Sequence, residues 1–134
     1  MKRLTTTLLA LGVALAGCAT TSTQPTLQGA EWRIAEIAGA RVVDGSNASL
    51  LFMEAGRLAG SGGCNRLIGG YESNAKGQLT ITHPGVTMMA CPQPLMQQER
   101  KLLDLLPEIT GYTIDAKGAL VLHTADGQRI MARR

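Results

Sequence analysis

Apolar and polar positions alternate in short runs along most of this chain. Trp32 and Ile34 are separated by polar or small residues, and the run closes at Ile37 before Gly39. Residues 48–53 (ASLLFM) form a second apolar run, bounded by Asp44-Gly45-Ser46-Asn47 and by Glu54-Ala55-Gly56. Residues 57–62 follow as its hairpin partner. Residues 68–72 and 79–82 flank Ser73-Asn74-Ala75-Lys76-Gly77, and residues 112–114 and 120–123 flank Asp115-Ala116-Lys117-Gly118. Arg129-Ile130-Met131 follows Ala125-Asp126-Gly127. Period-two runs of this length, joined by turns with glycine at the tip, predict antiparallel hairpins in sequence, a meander. The spacing between runs is irregular, which excludes a solenoid.

One stretch has a different period. Residues 94–106 (PLMQQERKLLDLL) begin on Pro94 and stop before Pro107, the positions where proline opens and ends a helix. At about 100° per residue, Leu95, Met96, Leu102, Leu103 and Leu106 fall on one stripe. Glu99 falls in the middle of it. A carboxylate on a buried face must be paired or hydrogen-bonded. Arg66 is the expected partner, with backbone N–H groups of the glycine segment as the alternative. Either way Glu99 ties the helix to that segment, or it forms part of a pocket.

That segment is Gly60-Ser61-Gly62-Gly63-Cys64-Asn65-Arg66-Leu67-Ile68-Gly69-Gly70-Tyr71. Five glycines around one cysteine, one asparagine and one arginine mark a backbone that takes unusual dihedrals or closely approaches another strand. It is neither a dinucleotide fingerprint, because Asn65 holds the last glycine position, nor a P-loop, because no Gly-Lys-Ser/Thr follows. Ser61 lacks the glycine two residues earlier that a nucleophile elbow needs. Asn65, Arg66 and Glu99 are the candidate polar cluster, for binding or for structure; no catalytic constellation is visible.

The N-terminus reads as an address. Met1-Lys2-Arg3 is positive, residues 4–16 are mostly apolar and short for a bilayer span, and Leu15-Ala16-Gly17-Cys18 matches the bacterial lipobox. The reading is a signal peptide over residues 1–17, removed, with Cys18 lipidated. A flexible Thr-rich tether then covers residues 18–28, and one folded domain residues 29–134. Acyl chains on Cys18 anchor a protein to a membrane without a spanning helix. Ala19, where an inner-membrane retention signal has aspartate, directs the expectation to the outer membrane, with the domain facing the periplasm.

Lipidation of Cys18 turns an odd cysteine count into a pair, Cys64 and Cys91. An oxidising periplasm favours a disulfide between them. Metal ligation with His83 and a reactive thiol are the competing readings; the absence of a C-x-x-C pair makes zinc a weak signal. No cofactor is expected. His83, before Pro84, and His123 sit at expected strand ends, where a histidine is usually a surface residue.

Composition narrows the partners. Removing Lys2 and Arg3 leaves eleven Lys and Arg against ten Asp and Glu, and aromatics are 3% of the chain. Neither a phosphate-attracting field nor a base-stacking surface is supplied, so no nucleic-acid partner is expected. Arg133-Arg134 reads as a free basic tail, too short for nucleic acid.

Taken together, these residues resemble the META domain, as in HslJ-like heat-inducible bacterial lipoproteins. The resemblance is carried by Trp32, Leu51-Phe52, Gly56-Arg57, Gly60, Gly63-Cys64-Asn65-Arg66 and Gly70-Tyr71. It continues through Thr87-Met88-Met89-Ala90-Cys91, Glu99, Leu103, Leu106, Tyr112, Leu120-Val121-Leu122 and Gly127. It implies an α+β fold, a strongly bent antiparallel meander sheet, partly barrel-like, with one helix packed on it. It also implies a Cys64–Cys91 disulfide and associations with heat response, novobiocin resistance, secretion or motility. The family supplies no catalytic residues to carry over. Three readings of function remain. The first is a non-enzymatic envelope lipoprotein, stress-related, that binds a protein or envelope component. The second is a small-molecule module with its site at the glycine segment, Arg66 and Glu99; the third is a thiol-redox or metal protein.

Overall fold

The computed structural model describes residues 26–134. The expected signal peptide, Cys18 and most of the expected tether lie outside the described residues. Nine strands form one antiparallel sheet: β1 (Glu31–Ile37), β2 (Ala40–Arg41), β3 (Ser49–Met53), β4 (Arg57–Ser61), β5 (Arg66–Ser73), β6 (Leu79–Val86), β7 (Ile109–Ile114), β8 (Leu120–Thr124) and β9 (Arg129–Arg133). Among the described residues one α-helix, α1 (Gln93–Leu105), interrupts them and runs into a 3-10 turn at Leu106–Glu108. The strand order is β6-β5-β4-β3-β1-β9-β8-β7, with β2 a short addition to β1.

The sheet bends until its ends meet. Gln78 bridges Gly111, and the Tyr112 N–H donates to the Gly77 carbonyl at 2.8 Å. The 3-10 turn after α1 also packs against β6. The result is a nearly closed, barrel-like α+β fold, as expected.

Inward positions of the strands fill the interior: Trp32, Leu50, Phe52, Leu67, Leu120, Leu122 and Ile130 are wholly buried. Phe52 and Tyr71 meet edge to face with ring centroids 5.0 Å apart, the arrangement favoured by the ring quadrupoles. Both polar aromatic groups find partners, as buried ones must. The Trp32 Nε1–H donates to the Leu27 carbonyl at 2.8 Å. The Tyr71 hydroxyl donates to the Met53 carbonyl at 2.8 Å and accepts from Gln28 Nε2 at 2.6 Å. Leu27 itself is buried, so packing begins inside the stretch read as tether, two residues ahead of the expected domain start at Gly29. All core side chains of the described residues lie between Leu27 and Ala132. A chain starting after Cys18 therefore keeps every core side chain of the described residues.

Several boundaries move. β5 starts at Arg66 rather than residue 68, and β7 at Ile109 rather than residue 112. β6 continues through His83-Pro84 to Val86 instead of stopping at residue 82. His83 takes φ 49°, a left-handed conformation, where the β5–β6 register shifts between Ile68 and Gly70. That irregularity lets the strand absorb a proline, whose missing N–H breaks a regular ladder.

The helix stripe is also rotated from the expected one. Glu99, Leu102, Leu105 and Leu106 are buried, Leu95 and Leu103 half-buried, and Met96 exposed. Leu105 replaces Met96 because only the C-terminal half of α1 reaches the barrel core. The first turns stand over an open groove.

Candidate functional site

The glycine segment crosses from β4 to β5 under the middle of α1. At Gly60, β4 lies so close to β3 that a Cβ would meet the Ser49 carbonyl oxygen at 2.1 Å. At Gly62 a Cβ would stand 2.5 Å from Cγ and 2.6 Å from Oε2 of Glu99. These glycines let the loop backbone press against the helix.

Asn65 occupies the centre. Its backbone N–H donates to Glu99 Oε2 at 2.6 Å, and its Nδ2 donates to Glu99 Oε1 at 2.8 Å. Its Oδ1 accepts from the Met89 N–H at 2.6 Å and from the Thr87 hydroxyl at 3.1 Å. Asn65 thereby clamps three segments: the β4–β5 loop, α1, and the strap over residues 87–90. Both residues are buried, and the Glu99 carboxylate is matched by two donors, as a buried charge requires. Gln98, beside it, reaches the other way. It accepts from the Val43 N–H at 2.6 Å and donates to the Gly62 carbonyl at 3.1 Å.

Arg66 is not the partner of Glu99. The carboxylate oxygens are taken by Asn65, and the Arg66 side chain is exposed on β5 while its backbone N–H donates to the Thr87 hydroxyl at 3.1 Å. The reason is register: Asn65 is the last loop residue and turns inward, so the next residue, opposite Ser61 in the ladder, turns outward. The alternative expectation, a backbone N–H of this segment, holds.

Cys64 and Cys91 form a disulfide, 27 residues apart in sequence. Each sulfur is therefore bonded to the other, and neither is a thiolate to hold a metal with His83. His83 is exposed on β6, and His123 is half-buried on β8. Among the described residues no cluster of three His, Cys, Asp or Glu side chains could hold a metal ion. Cys18 lies outside the described residues.

The structure adds a feature that the helical stripe and the T-M-M-A-C run did not announce. Between the strap and α1 lies an open groove of about 530 Å³ with Asn65 and Glu99 at its floor. Val86, Met88, Met89, Met96 and Leu103 line it, with Arg100 and Asp104 on the helix side. Met88 is 93% exposed, Met89 59% and Met96 44%. The apolar residues next to Cys91 were the available signal; Met96, read onto the buried stripe, gave none.

Comparison with known proteins now fixes the family. The META domain model matches residues 25–134. The chain belongs to the META domain family. An NMR structure of a protein from Burkholderia xenovorans is similar to this META domain at 26% identity and a TM-score of 0.66, covering 81% of this chain and 83% of that one. A second NMR structure is similar at 25% identity and a TM-score of 0.58, covering 77% of this chain and 86% of that one. No curated protein matches the chain.

Proposed function

We propose that this META domain is a non-enzymatic binding module, held at the bacterial envelope by lipid on Cys18 and serving the envelope's response to stress. The groove between the strap and α1 is its contact surface, and apolar side chains of an envelope protein are what it takes. The carrying observation is the rim: three exposed methionines around one groove. Methionine adapts its shape to varied apolar partners and is over-used on promiscuous binding surfaces. The floor supports the same reading, because Glu99 and Asn65 are already engaged with each other and leave the groove apolar in character. The short apolar leader ending in Leu15-Ala16-Gly17-Cys18 supports the anchor, and Ala19 after it supports the outer membrane as its destination.

The test is cross-linking of the lipidated protein in its own envelope, beside a Met88→Glu/Met89→Glu variant. A partner captured by the native chain and lost with the variant, at unchanged thermal stability, supports the reading. Equal capture by both overturns the groove as the contact. Release of product from an envelope polymer by purified protein would overturn the non-enzymatic assignment.

The groove's volume favours one second reading. Small-molecule sites span about 300–1,000 Å³, so a hydrophobic ligand such as an antibiotic is the alternative occupant. A ligand bound to the folded state alone must raise Tm. A panel of hydrophobic antibiotics without any shift removes this alternative.

A further inference from the structure

The C-terminus is not the free basic tail expected from Arg133-Arg134. Arg133 closes β9, and the Arg134 guanidinium lies over the Trp32 ring, 4.3 Å from its centroid. An Arg134 Nη2–H donates to the Thr26 carbonyl, and also to the Gln28 carbonyl at 3.4 Å. The last residue of the chain is therefore fixed beside the first described one.

That end of the barrel is basic. A recess of about 330 Å³ is lined by Trp32, Lys117, Gly118, Arg133 and Arg134. Arg33 stands directly opposite Arg133 across the β1–β9 pair, both exposed. Like charges opposite each other destabilise a sheet, so the fold itself gains nothing from that pair. Two acids share this side. Asp115 is held below the usual carboxylate range first by the Ala119 N–H, then by the Lys117 N–H and the charges of Arg133 and Lys117. Its Oδ1 is engaged in the β7–β8 turn by those two N–H groups at 2.9 Å each. Glu31 lies two positions before Arg33 on β1. The four cations outnumber them.

We propose that this basic end is a docking surface for an anionic phospholipid bilayer, with Lys117 and Arg133 reaching headgroup phosphates. The proposal rests on the anchor reading above. Seven residues lie between Cys18 and Thr26, so the two are eight Cα–Cα steps apart. A chain spans at most about 3.6 Å per residue, so a lipid on Cys18 keeps Thr26 within roughly 30 Å of the bilayer. Arg134 holds Thr26 at the basic end, so the tether presents this end, rather than the methionine groove, to the membrane. Cations close to an anionic bilayer are attracted within a Debye length of about 10 Å at 0.1 M salt. The groove on α1 is left for a partner.

The test uses residues 19–134 with the disulfide intact, co-sedimented with vesicles of phosphatidylglycerol or of phosphatidylcholine, at low and high salt. The expected result is binding to phosphatidylglycerol alone, lost at high salt. Removing a cation weakens it about fivefold, so the Lys117→Glu/Arg133→Glu variant, with both charges reversed, loses it by more than roughly twentyfold. Both side chains lie outside the core, and an unchanged Tm shows that the variant folds. Equal binding to both vesicle types, or full binding by the variant, overturns the proposal. Inorganic phosphate that protects the recess in amide exchange while vesicles do not bind also overturns it, because the site then takes a free anion. The mass of the envelope-extracted full chain reports Cys18 separately. Vesicle binding by residues 19–134, together with an extracted full chain whose mass shows no lipid on Cys18, supports the docking surface and defeats the anchor reading.

Discussion

At the scale of single residues, the Asn65–Glu99 pair is the most demanding contact in the molecule. Glu99→Ala removes the acceptor of the Asn65 N–H and of one Nδ2–H in a buried place, leaving Nδ2 its longer contact with the Met89 carbonyl at 3.4 Å, and should lower unfolding free energy by about 2–4 kcal/mol, read by urea denaturation. Asn65→Asp tests the same contact through charge. It sets a second carboxylate where Nδ2 now donates to Glu99 at 2.8 Å. Two carboxylates this close ionise together only with difficulty, so one of the pair should be raised in pKa. A raised folded-state pKa stabilises at low pH and loses that stabilisation as pH rises through it. The variant should therefore be far less stable than the native chain at neutral pH and recover as pH falls toward about 4. A deficit independent of pH would show that the two side chains do not face each other. Glu99 was legible as a buried charge because a helical wheel places it without reference to any other segment. Its partner was not, since the inward turn of Asn65 and the outward turn of Arg66 follow from where β5 begins, a boundary that single-residue patterns locate poorly.

At the scale of elements, the disulfide and the Asn65 clamp act on the same strap. The closed loop contains β5 and β6, which already pair with each other. Cross-linking a loop of 27 residues contributes about 3.5 kcal/mol in the chain-entropy model. Cys64→Ser/Cys91→Ser should lose most of that in denaturant unfolding. Amide exchange separates the two fasteners. With the disulfide gone, the Met89 N–H, which donates to Asn65 Oδ1, should stay more protected than its strap neighbours Met88 and Ala90. Loss of protection along the whole strap would mean that the disulfide alone holds it. The pairing of these cysteines was legible because reading Leu15-Ala16-Gly17-Cys18 as a lipobox takes Cys18 out of the count. The hairpins around Gly77, Gly118 and Gly127 were legible because the turn residues carry their own chemistry. The two-residue β2 was not, because it carries no alternation, only proximity to β1.

At the scale of the whole molecule, the sheet closes through one narrow contact. Gly111 sits where β7 meets the Lys76-Gly77 turn; a Cβ there would lie 2.9 Å from the Gly77 carbonyl oxygen and 2.6 Å from Cε1 of His123. The closure joins segments more than thirty residues apart, which is why local periodicity predicts the hairpins on either side of the seam and is silent on the seam. The bent sheet was foreseen by family resemblance and not by alternation. Gly111→Ala should push the two ends apart, with a cost of about 1–3 kcal/mol. The cost has a direction as well as a size. The Gln78–Gly111 bridge and the Tyr112 N–H bond to Gly77 should open together. The β3–β4 ladder on the far side, which shares no residue with the seam, should keep its protection. Exchange at Tyr112 that quickens while Phe52 and Leu58 stay protected would identify a barrel closed at one point and held there by the absence of a side chain. Uniform acceleration would instead mean that the seam and the sheet unfold as a single unit.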